Sequence, residues 1–260
     1  RMFGSVKTTQ EICETILEKF SSRKQLNHSI PVFSGFNLPV RELPIDPYIL
    51  GMWLGDGSSN SGQITTADQE VVEQLKNSKY EVVKNKSLYL WNCLGLLTDL
   101  KKLGVLKNKH IPMEYLRSDA DSRLALLQGL LDSDGTVSKK SGAVSFTTTK
   151  ERLRDGFYEL ATSLGIKTRA VSKLAKLNGR IIGPCWKFQF LSEMQCFRLT
   201  RKLQLQKRNN FRGIHNIRYI TGFEQLGKQL VKCIEVDSPD HLYLAGKAMI
   251  KTHNSLLSAH

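Results

Sequence analysis

The chain has 260 residues, 40% of them hydrophobic, which suffices for packed cores in one to two domains. Its 38 Lys+Arg against 24 Asp+Glu give a formal net charge of +14 and a sequence pI near 9.6, an electrostatic footprint suited to a polyanion, so nucleic acid is the expected partner. No apolar run reaches the ~18 residues of a membrane span. No basic n-region leads into an apolar h-region, and the five cysteines lack paired metal spacing, which points away from membrane and secreted classes and toward a bacterial, phage or archaeal cytoplasm with no targeting signal. A solvated lysine-rich surface has the same composition, so charge alone decides nothing.

Thr8-Thr9-Gln10-Glu11 opens a short amphipathic helix expected to run through Phe20, with Thr8 or Thr9 as N-cap. A proline-rich loop follows from Asn27 to Pro47. Then Ile49-Leu50-Gly51-Met52-Trp53-Leu54-Gly55-Asp56-Gly57 states a plan that Leu127-Gln128-Gly129-Leu130-Leu131-Asp132-Ser133-Asp134-Gly135 repeats: an apolar helical run closed by an acid and a glycine. The offset between Asp56 and Asp134 is about one small αβ unit, so the chain reads as two similar half-domains. Gly51 and Gly55 on one helix, and Gly129 and Ser133 on the other, stand four apart and leave a bare face on which two backbones can approach. Gly57 and Gly135 are expected to stop the helices with positive φ, leaving Asp56 and Asp134 together at two helix C-termini. Carboxylates and free carbonyls at two negative dipole ends call for a hard divalent cation, with Mg²⁺ expected and the backbone oxygens of Gly55 and Ser133 as further ligands. A single copy of the motif would read more simply as a buried helix with an acidic C-cap.

After the first motif, Gly62 to Thr66 alternates as a strand, Ala67 to Asn77 reads as a helix and Tyr80 to Trp91 as a strand or ribbon. The second half repeats the order with Ala143 to Thr148, Glu151 to Leu164, and a hairpin from Lys167 to Leu191 turning near Asn178-Gly179. Lys167, Arg169, Lys173, Lys176, Arg180 and Lys187 alternate with apolar residues, so one face can pack on helices while the other meets DNA. Lys84, Lys86, Lys139 and Lys140 are further candidate DNA contacts. The alternative is an ordinary sheet with a charged exterior. Thr66 and Thr148, each at the end of the strand after its motif, are candidates for ordering a water beside the expected metal, or equally for capping the helices that follow.

The paired motifs resemble the LAGLIDADG motifs of single-chain homing endonucleases: Asp132-Ser133-Asp134-Gly135 is a close match and Leu54-Gly55-Asp56-Gly57 a looser one, Leu54 replacing the motif's first acid. The resemblance implies an α+β fold of two pseudo-twofold-related αββαββα halves forming a DNA-binding saddle. It also implies double-strand cleavage with staggered breaks at a long, asymmetric site by a monomer, with Ca²⁺ or Mn²⁺ able to replace Mg²⁺ in crystals. Gly104 to Pro112 resembles the segment that carries an active-site lysine in intein-type members, which maps to Lys107. The matching lysine of the second half is Lys207, with Lys202 and Arg208 as competitors. Either would polarise the attacking water or neutralise charge on the phosphate.

Farther on, Lys232 to Gly246, including Asp240-His241-Leu242-Tyr243-Leu244-Ala245, followed by Thr252-His253-Asn254-Ser255, is similar to the last two splicing blocks of inteins. The resemblance implies that Asn254 cyclises to a succinimide and breaks its bond to Ser255. His253 and His241 assist by proton transfer, and Ser255 is the downstream nucleophile. Cys233, paired with Thr252, resembles the opening nucleophile of class 3 inteins; a small buried strand cysteine is the equal alternative. No partner tryptophan or Thr-x-x-His block can be assigned, so the chain is expected to lack its upstream splicing blocks and the ability to ligate flanks unaided.

The expected organisation is a linker from the splicing side over 1–45, an endonuclease over 46–210 with halves 46–112 and 113–210, a partial all-β, HINT-like intein segment over 211–254, and extein or tag residues over 255–260. The leading reading is a metal-dependent homing endonuclease embedded in an intein. A binding-only maturase-like protein and a pure splicing element are the rivals.

Overall fold

The computed structural model describes residues 5–20, 23–207, 216–227, 230, 232 and 234–254. The chain divides into two compact units, one made of Arg1–Phe33 with Arg212–His260 and the other of Ser34–Phe211.

The first unit begins with α1 (Thr9–Glu14), where the Thr8 side chain and Glu11 form a reciprocal capping box. The helix stops well short of the expected Phe20. The Thr15 hydroxyl donates back to the Glu11 carbonyl at 2.6 Å, and the chain continues as β1 (Leu17–Phe20), paired antiparallel with β2 (Arg23–Leu26). Strand β3 (Ser29–Pro31) closes this stretch. Residues 5–20 and 23–33 thus carry a helix and three strands, where the sequence suggested a linker.

In the second unit, α2 (Pro47–Asp56) starts where the Asp46 side chain accepts from the Tyr48 and Ile49 amides, with Pro47 in the first turn. Tyr48 through Leu54 are all buried, as a helix apolar around its whole circumference requires. There follow β4 (Gln63–Thr65), α3 (Gln69–Lys76), β5 (Glu81–Lys84), β6 (Leu90–Leu94), α4 (Leu96–Lys102) and α5 (Met113–Leu116). The second half runs α6 (Ala120–Asp134), β7 (Gly135–Val137), β8 (Val144–Thr148), α7 (Glu151–Ser163), β9 (Ala170–Leu177), β10 (Arg180–Phe190) and α8 (Thr200–Leu203), the full αββαββα order. The first half departs from it at one place: the strand after α2 is reduced to a single bridge between Gly57 and Ile64.

The two sheets have matching topology, β4-β6-β5 and β7-β8-β10-β9, all antiparallel. The hairpin turn falls at Asn178 and Gly179, both at positive φ (50° and 81°), as a two-residue turn matched to strand twist demands. One continuous core joins the halves, with Trp53, Tyr48, Tyr115, Phe146, Phe157 and Phe188 all fully buried. Phe146 stacks on Phe157 with centroids 4.1 Å apart. Residues 34–45 belong here too, since Arg123, itself fully buried, donates to the Phe36 and Ser163 carbonyls. The boundary thus lies at Phe33 and not near residue 45.

The chain returns to the first unit with β11 (Ile217–Tyr219), paired antiparallel with β3, and ends in the hairpin of β12 (Leu242–Ala245) and β13 (Ile250–His253). Among the described residues no helix is long and apolar enough to cross a membrane.

Candidate metal centre and nucleic-acid interface

Helices α2 and α6 cross at their glycines. A Cβ added to Gly51 would fall 2.9 Å from the Gly129 Cα, one on Gly129 would fall 3.0 Å from the Gly51 Cα, and one on Gly55 would fall 2.6 Å from the Ser133 Cβ. Real side chains do not approach that closely, so the bare stripe read from the sequence is the contact itself. The crossing brings the two C-termini together, and a Cβ on Gly55 would touch the Asp134 Oδ2 at 3.4 Å.

Gly57 and Gly135 act differently from expectation. Their φ angles, −76° and −84°, are ordinary extended backbone. Glycine is needed for space: a Cβ on Gly57 would strike the Trp53 ring, 2.6 Å from its Cγ, and one on Gly135 would lie 2.7 Å from the Leu131 Cα. Each amide still closes the last helical turn, on the Trp53 and Leu131 carbonyls.

These carbonyls and others at each end converge on a buried lysine. Lys109 Nζ donates to the carbonyls of Trp53 (2.8 Å), Gly55 (3.1 Å) and Gly57 (2.7 Å). Lys202 Nζ donates to those of Leu131 (2.8 Å), Asp132 (2.7 Å) and Gly135 (2.7 Å), with Ser133 at 3.4 Å. An ammonium has three protons, so both are fully engaged, and each places a positive charge at a negative helix end. Burial lowers both lysine pKa values, that of Lys109 to about 8, with the nearby charge of Lys150 lowering it further and Asp134 and Asp56 opposing. Lys107 and Lys207 stand elsewhere. Lys107 is exposed at φ 57°, its amide on the Ser59 carbonyl, and Lys207 donates to the Lys140 carbonyl. Of the lysines considered from sequence, the competitor Lys202 reaches a helix end, while Lys109, two residues beyond Lys107, went unnoticed because only the fold fixes which lysine of that segment points inward.

Asp56 is half-buried, and its pKa rises to about 6, first through burial and then through the charge of Asp134. Burial of its surroundings also raises Asp134, against the pull of Lys109, Lys150 and Lys202. The two acids therefore sense each other, and a divalent cation between them would relieve the repulsion. The two carboxylates offer oxygen donors only, which fit a hard ion. No group of three or more His, Cys, Asp or Glu suited to a metal occurs among the described residues, so water and phosphate would complete a coordination shell. The Gly55 and Ser133 carbonyls, expected as ligands, already accept from Lys109 and Lys202, and the Ser133 hydroxyl donates to Gly129 and Leu130.

Asp132, the first acid of the second motif, is buried and accepts from the Tyr48 hydroxyl (3.0 Å) and the Arg198 (2.9 Å) and Leu199 (3.3 Å) amides. It ties the chain end of the second half onto α2. Leu54 at the corresponding place is simply core. Thr66 and Thr148 are buried, and each hydroxyl accepts from the amide two residues on, Asp68 (3.1 Å) and Lys150 (3.2 Å). Each closes a turn just ahead of the next helix, whose N-cap is Asp68 or Lys150 and not the threonine.

On the sheet faces away from the core, the halves differ. The second sheet presents Thr136, Ser145, Thr147, Gln189, Lys187, Val171 and Lys173, by register with the opposite parity to Phe146, Phe188 and Phe190. The first presents a neutral network in which Gln63 donates to Asn92 at 2.8 Å. The ribbon cations do not share one face as expected. Lys176 pairs with Ile181 on the parity opposite to Lys173, and Leu174, Ile181 and Ile182 remain 60% exposed, because β10 runs beyond the end of its pairing with β8. Arg180 adjoins the turn, and Lys167 and Arg169 precede β9. Lys84 lies over the Trp91 ring at 5.8 Å, in the row of buried Ile64, and Lys86, Lys139 and Lys140 are exposed in loops.

Residues 121–184 match the family model of a LAGLIDADG-like domain. A replicative DNA helicase DnaB of Mycobacterium intracellulare is 38% identical over 259 residues, covering 99% of this chain and 43% of that protein. The chain thus spans less than half the length of this curated relative. Solved structures of the homing endonuclease I-DmoI are also similar: a mesophilic variant at 14% identity (TM-score 0.38, 62% of this chain and 92% of that one), the complex with DNA and Ca at 13% (0.37, 64% and 94%), and the complex with DNA and Mn at 15% (0.36, 56% and 89%).

In the first unit, Asn254 is buried, with its amide donating to the His241 carbonyl at 3.0 Å and its Oδ1 lacking a hydrogen-bond partner. His253 Nδ1 lies 2.6 Å from the Asn254 carbonyl oxygen, and the rings of His241 and His253 are 5.8 Å apart. The Thr252 hydroxyl donates to Ile250. Cys233 and Ser255 lie outside the described residues.

Proposed function

We propose that the Ser34–Phe211 unit is a site-specific, metal-dependent, double-strand DNA endonuclease that acts as a monomer. The observation that carries this reading is the pair Asp56 and Asp134 at crossed helix ends, each end closed by a buried lysine. A duplicated centre of this kind suits hydrolysis of two strands by one chain, and the LAGLIDADG-like match over 121–184 supports it. A divalent ion held by the two acids, Mg²⁺ with Ca²⁺ or Mn²⁺ as substitutes, supplies Lewis acidity to the scissile phosphate. Lys109 and Lys202 hold the helix ends in register and offset the charge gathered there. The cationic sheet face of the second half holds the DNA backbone, and polar side chains such as Gln63, Asn92 and Gln189 read base edges.

The DnaB relative suggests the target: a long, asymmetric site in a helicase gene that lacks the inserted segment. Incubation of that junction with protein and Mg²⁺ is expected to give one discrete double-strand break. Asp134→Asn should bind equally and cut neither strand, since phosphate contacts dominate affinity. Binding without breaks under any metal would favour a maturase-like binder, and retained double-strand cutting by Asp134→Asn would refute the assignment.

The first unit suggests a second chemistry, the C-terminal step of intein splicing. The contact of His253 Nδ1 with the Asn254 carbonyl favours it, because a protonated Nδ1 polarises the carbonyl that the Asn254 amide attacks to form the succinimide. His241, with its ring beside that of His253, is the proton partner, and Cys233 and Ser255 are the proposed nucleophiles. Mass spectrometry after long incubation is expected to find slow release of the chain beyond Asn254, abolished by Asn254→Ala. An unchanged mass in the wild type would contradict the step.

A further inference from the structure

The two sheets start from equivalent places, yet their outer faces differ in kind. Each begins at its acid: the Ser58 amide, two residues past Asp56, donates to the Gln63 carbonyl, and Gly135 opens β7 directly after Asp134. In the first half Ile64 and Cys93 are buried on the core side, so alternation puts Gln63, Asn92, Val83 and Leu94 on the outer side. Val83 and Leu94 are 42% and 52% exposed there, large apolar side chains that the core does not use. Among the described residues of this face the charge is an acid, Glu81, opposite Leu94, whereas the second sheet offers Lys173 and Lys187. A face without cations has little hold on phosphate and is suited to base edges.

Asn92 stands between Gln63 on β4 and Val83 on β5. Its Oδ1 accepts from Gln63 Nε2 at 2.8 Å and from Asn85 Nδ2 at 3.4 Å, while its own amide nitrogen has no partner among the described residues. With the oxygen committed, Asn92 is left as a donor. A donor beside an apolar side chain matches one base edge of the major groove. Thymine presents the O4 acceptor next to its C5-methyl group, guanine presents two acceptors and no methyl, and adenine and cytosine each present an amino donor.

Resting on the nuclease reading above, we infer that the sheet of the first half is a thymine reader: Asn92 donates to the O4 of a thymine, Val83 and Leu94 cover C5-methyl groups along the groove, and the half-site under this sheet is rich in A·T pairs. The first half then contributes base discrimination, and the lysines of the second contribute phosphate affinity.

The test uses the full chain with Ca²⁺ and a pool of duplexes randomised across the helicase-gene junction. Bound duplexes should carry A·T pairs with a thymine preference in one half-site. Uracil in place of a thymine there deletes the methyl and leaves O4, and should weaken binding roughly 2–5-fold per methyl that Val83 or Leu94 covers. 5-Methylcytosine keeps the methyl and replaces O4 with an amino donor, and should be rejected at the position that Asn92 reads. The double variant Val83→Ser, Leu94→Ser, altered only on an exposed face, should keep the wild-type Tm and lose the uracil penalty. A bound pool without thymine preference, a uracil duplex held as tightly as its parent, a uracil penalty that persists in the double variant, or 5-methylcytosine accepted at every thymine overturns the inference. The nuclease reading survives each of these, because cleavage of the junction with Mg²⁺ is scored separately. A wild-type protein that binds no duplex overturns both.

Discussion

At the scale of single residues, the lysines separate sharply. Removing Lys109 takes a donor from the Trp53, Gly55 and Gly57 carbonyls at the buried end of α2, of which that of Trp53 keeps the Gly57 amide, and takes a charge away from two acids. Lys109→Met is expected to cost about 2–4 kcal/mol by urea unfolding and to abolish cleavage, whereas Lys107→Ala should stay within about 0.5 kcal/mol. Asp56 predicts the pH response. Its pKa of about 6 is raised above the unfolded value, so between about 4 and 6 the metal-free native state holds more protons than the unfolded chain. Metal-free stability therefore falls as pH rises through that window, and Asp56→Asn should be more stable than wild type at pH 7.5 without metal by roughly 1–3 kcal/mol. Metal binding needs the ionised acid, so Ca²⁺ affinity measured by calorimetry should weaken as pH drops below about 6. The two acids were legible in the sequence because an acid-glycine pair closing an apolar run is local information. Lys109 was not, because nothing local distinguishes it from Lys107.

At the scale of elements, the helix crossing is the most sensitive place in the fold. Gly51→Ala or Gly129→Ala puts a methyl against the facing backbone and cannot be absorbed by a rotamer change. Either should destabilise by about 2 kcal/mol or more in a denaturant series, while Gly227→Ala, where an added Cβ meets nothing within 4 Å, should change little. What could be read beforehand followed from short-range rules. The Asn178-Gly179 hairpin needs positive φ at both residues, the strands alternate, and small residues four apart mark a close approach. The misreadings came from tertiary terms. Gly57 and Gly135 are required by space and not by φ. The ribbon's cations fall on both faces because β10 outruns β8. α1 ends at Glu14 because β2 supplies a pairing partner for Leu17–Phe20 that helix propensity ignores.

At the scale of the whole molecule, the chain leaves the first unit after β3 and re-enters it at β11, and these two strands pair directly, with the Val32 amide on the Asn216 carbonyl and the Ile220 amide on that of His28. Residues 34–211 are thus an insertion between adjacent strands. Each unit has its own hydrogen-bonded sheets, and the expected result of expressing Ser34–Phe211 alone is a folded protein with a cooperative thermal transition and the same DNA cleavage as the full chain. Loss of the transition would place essential core contacts outside the unit. The account as a whole turns on two acids sharing one ion. The most direct measurement is a crystal of the protein with the helicase-gene junction and Ca²⁺, scanned for anomalous density at long wavelength. A Ca²⁺ peak within about 2.3–2.6 Å of oxygens from both Asp56 and Asp134 is the predicted result. Peaks that touch neither acid, or only one of them, would contradict it.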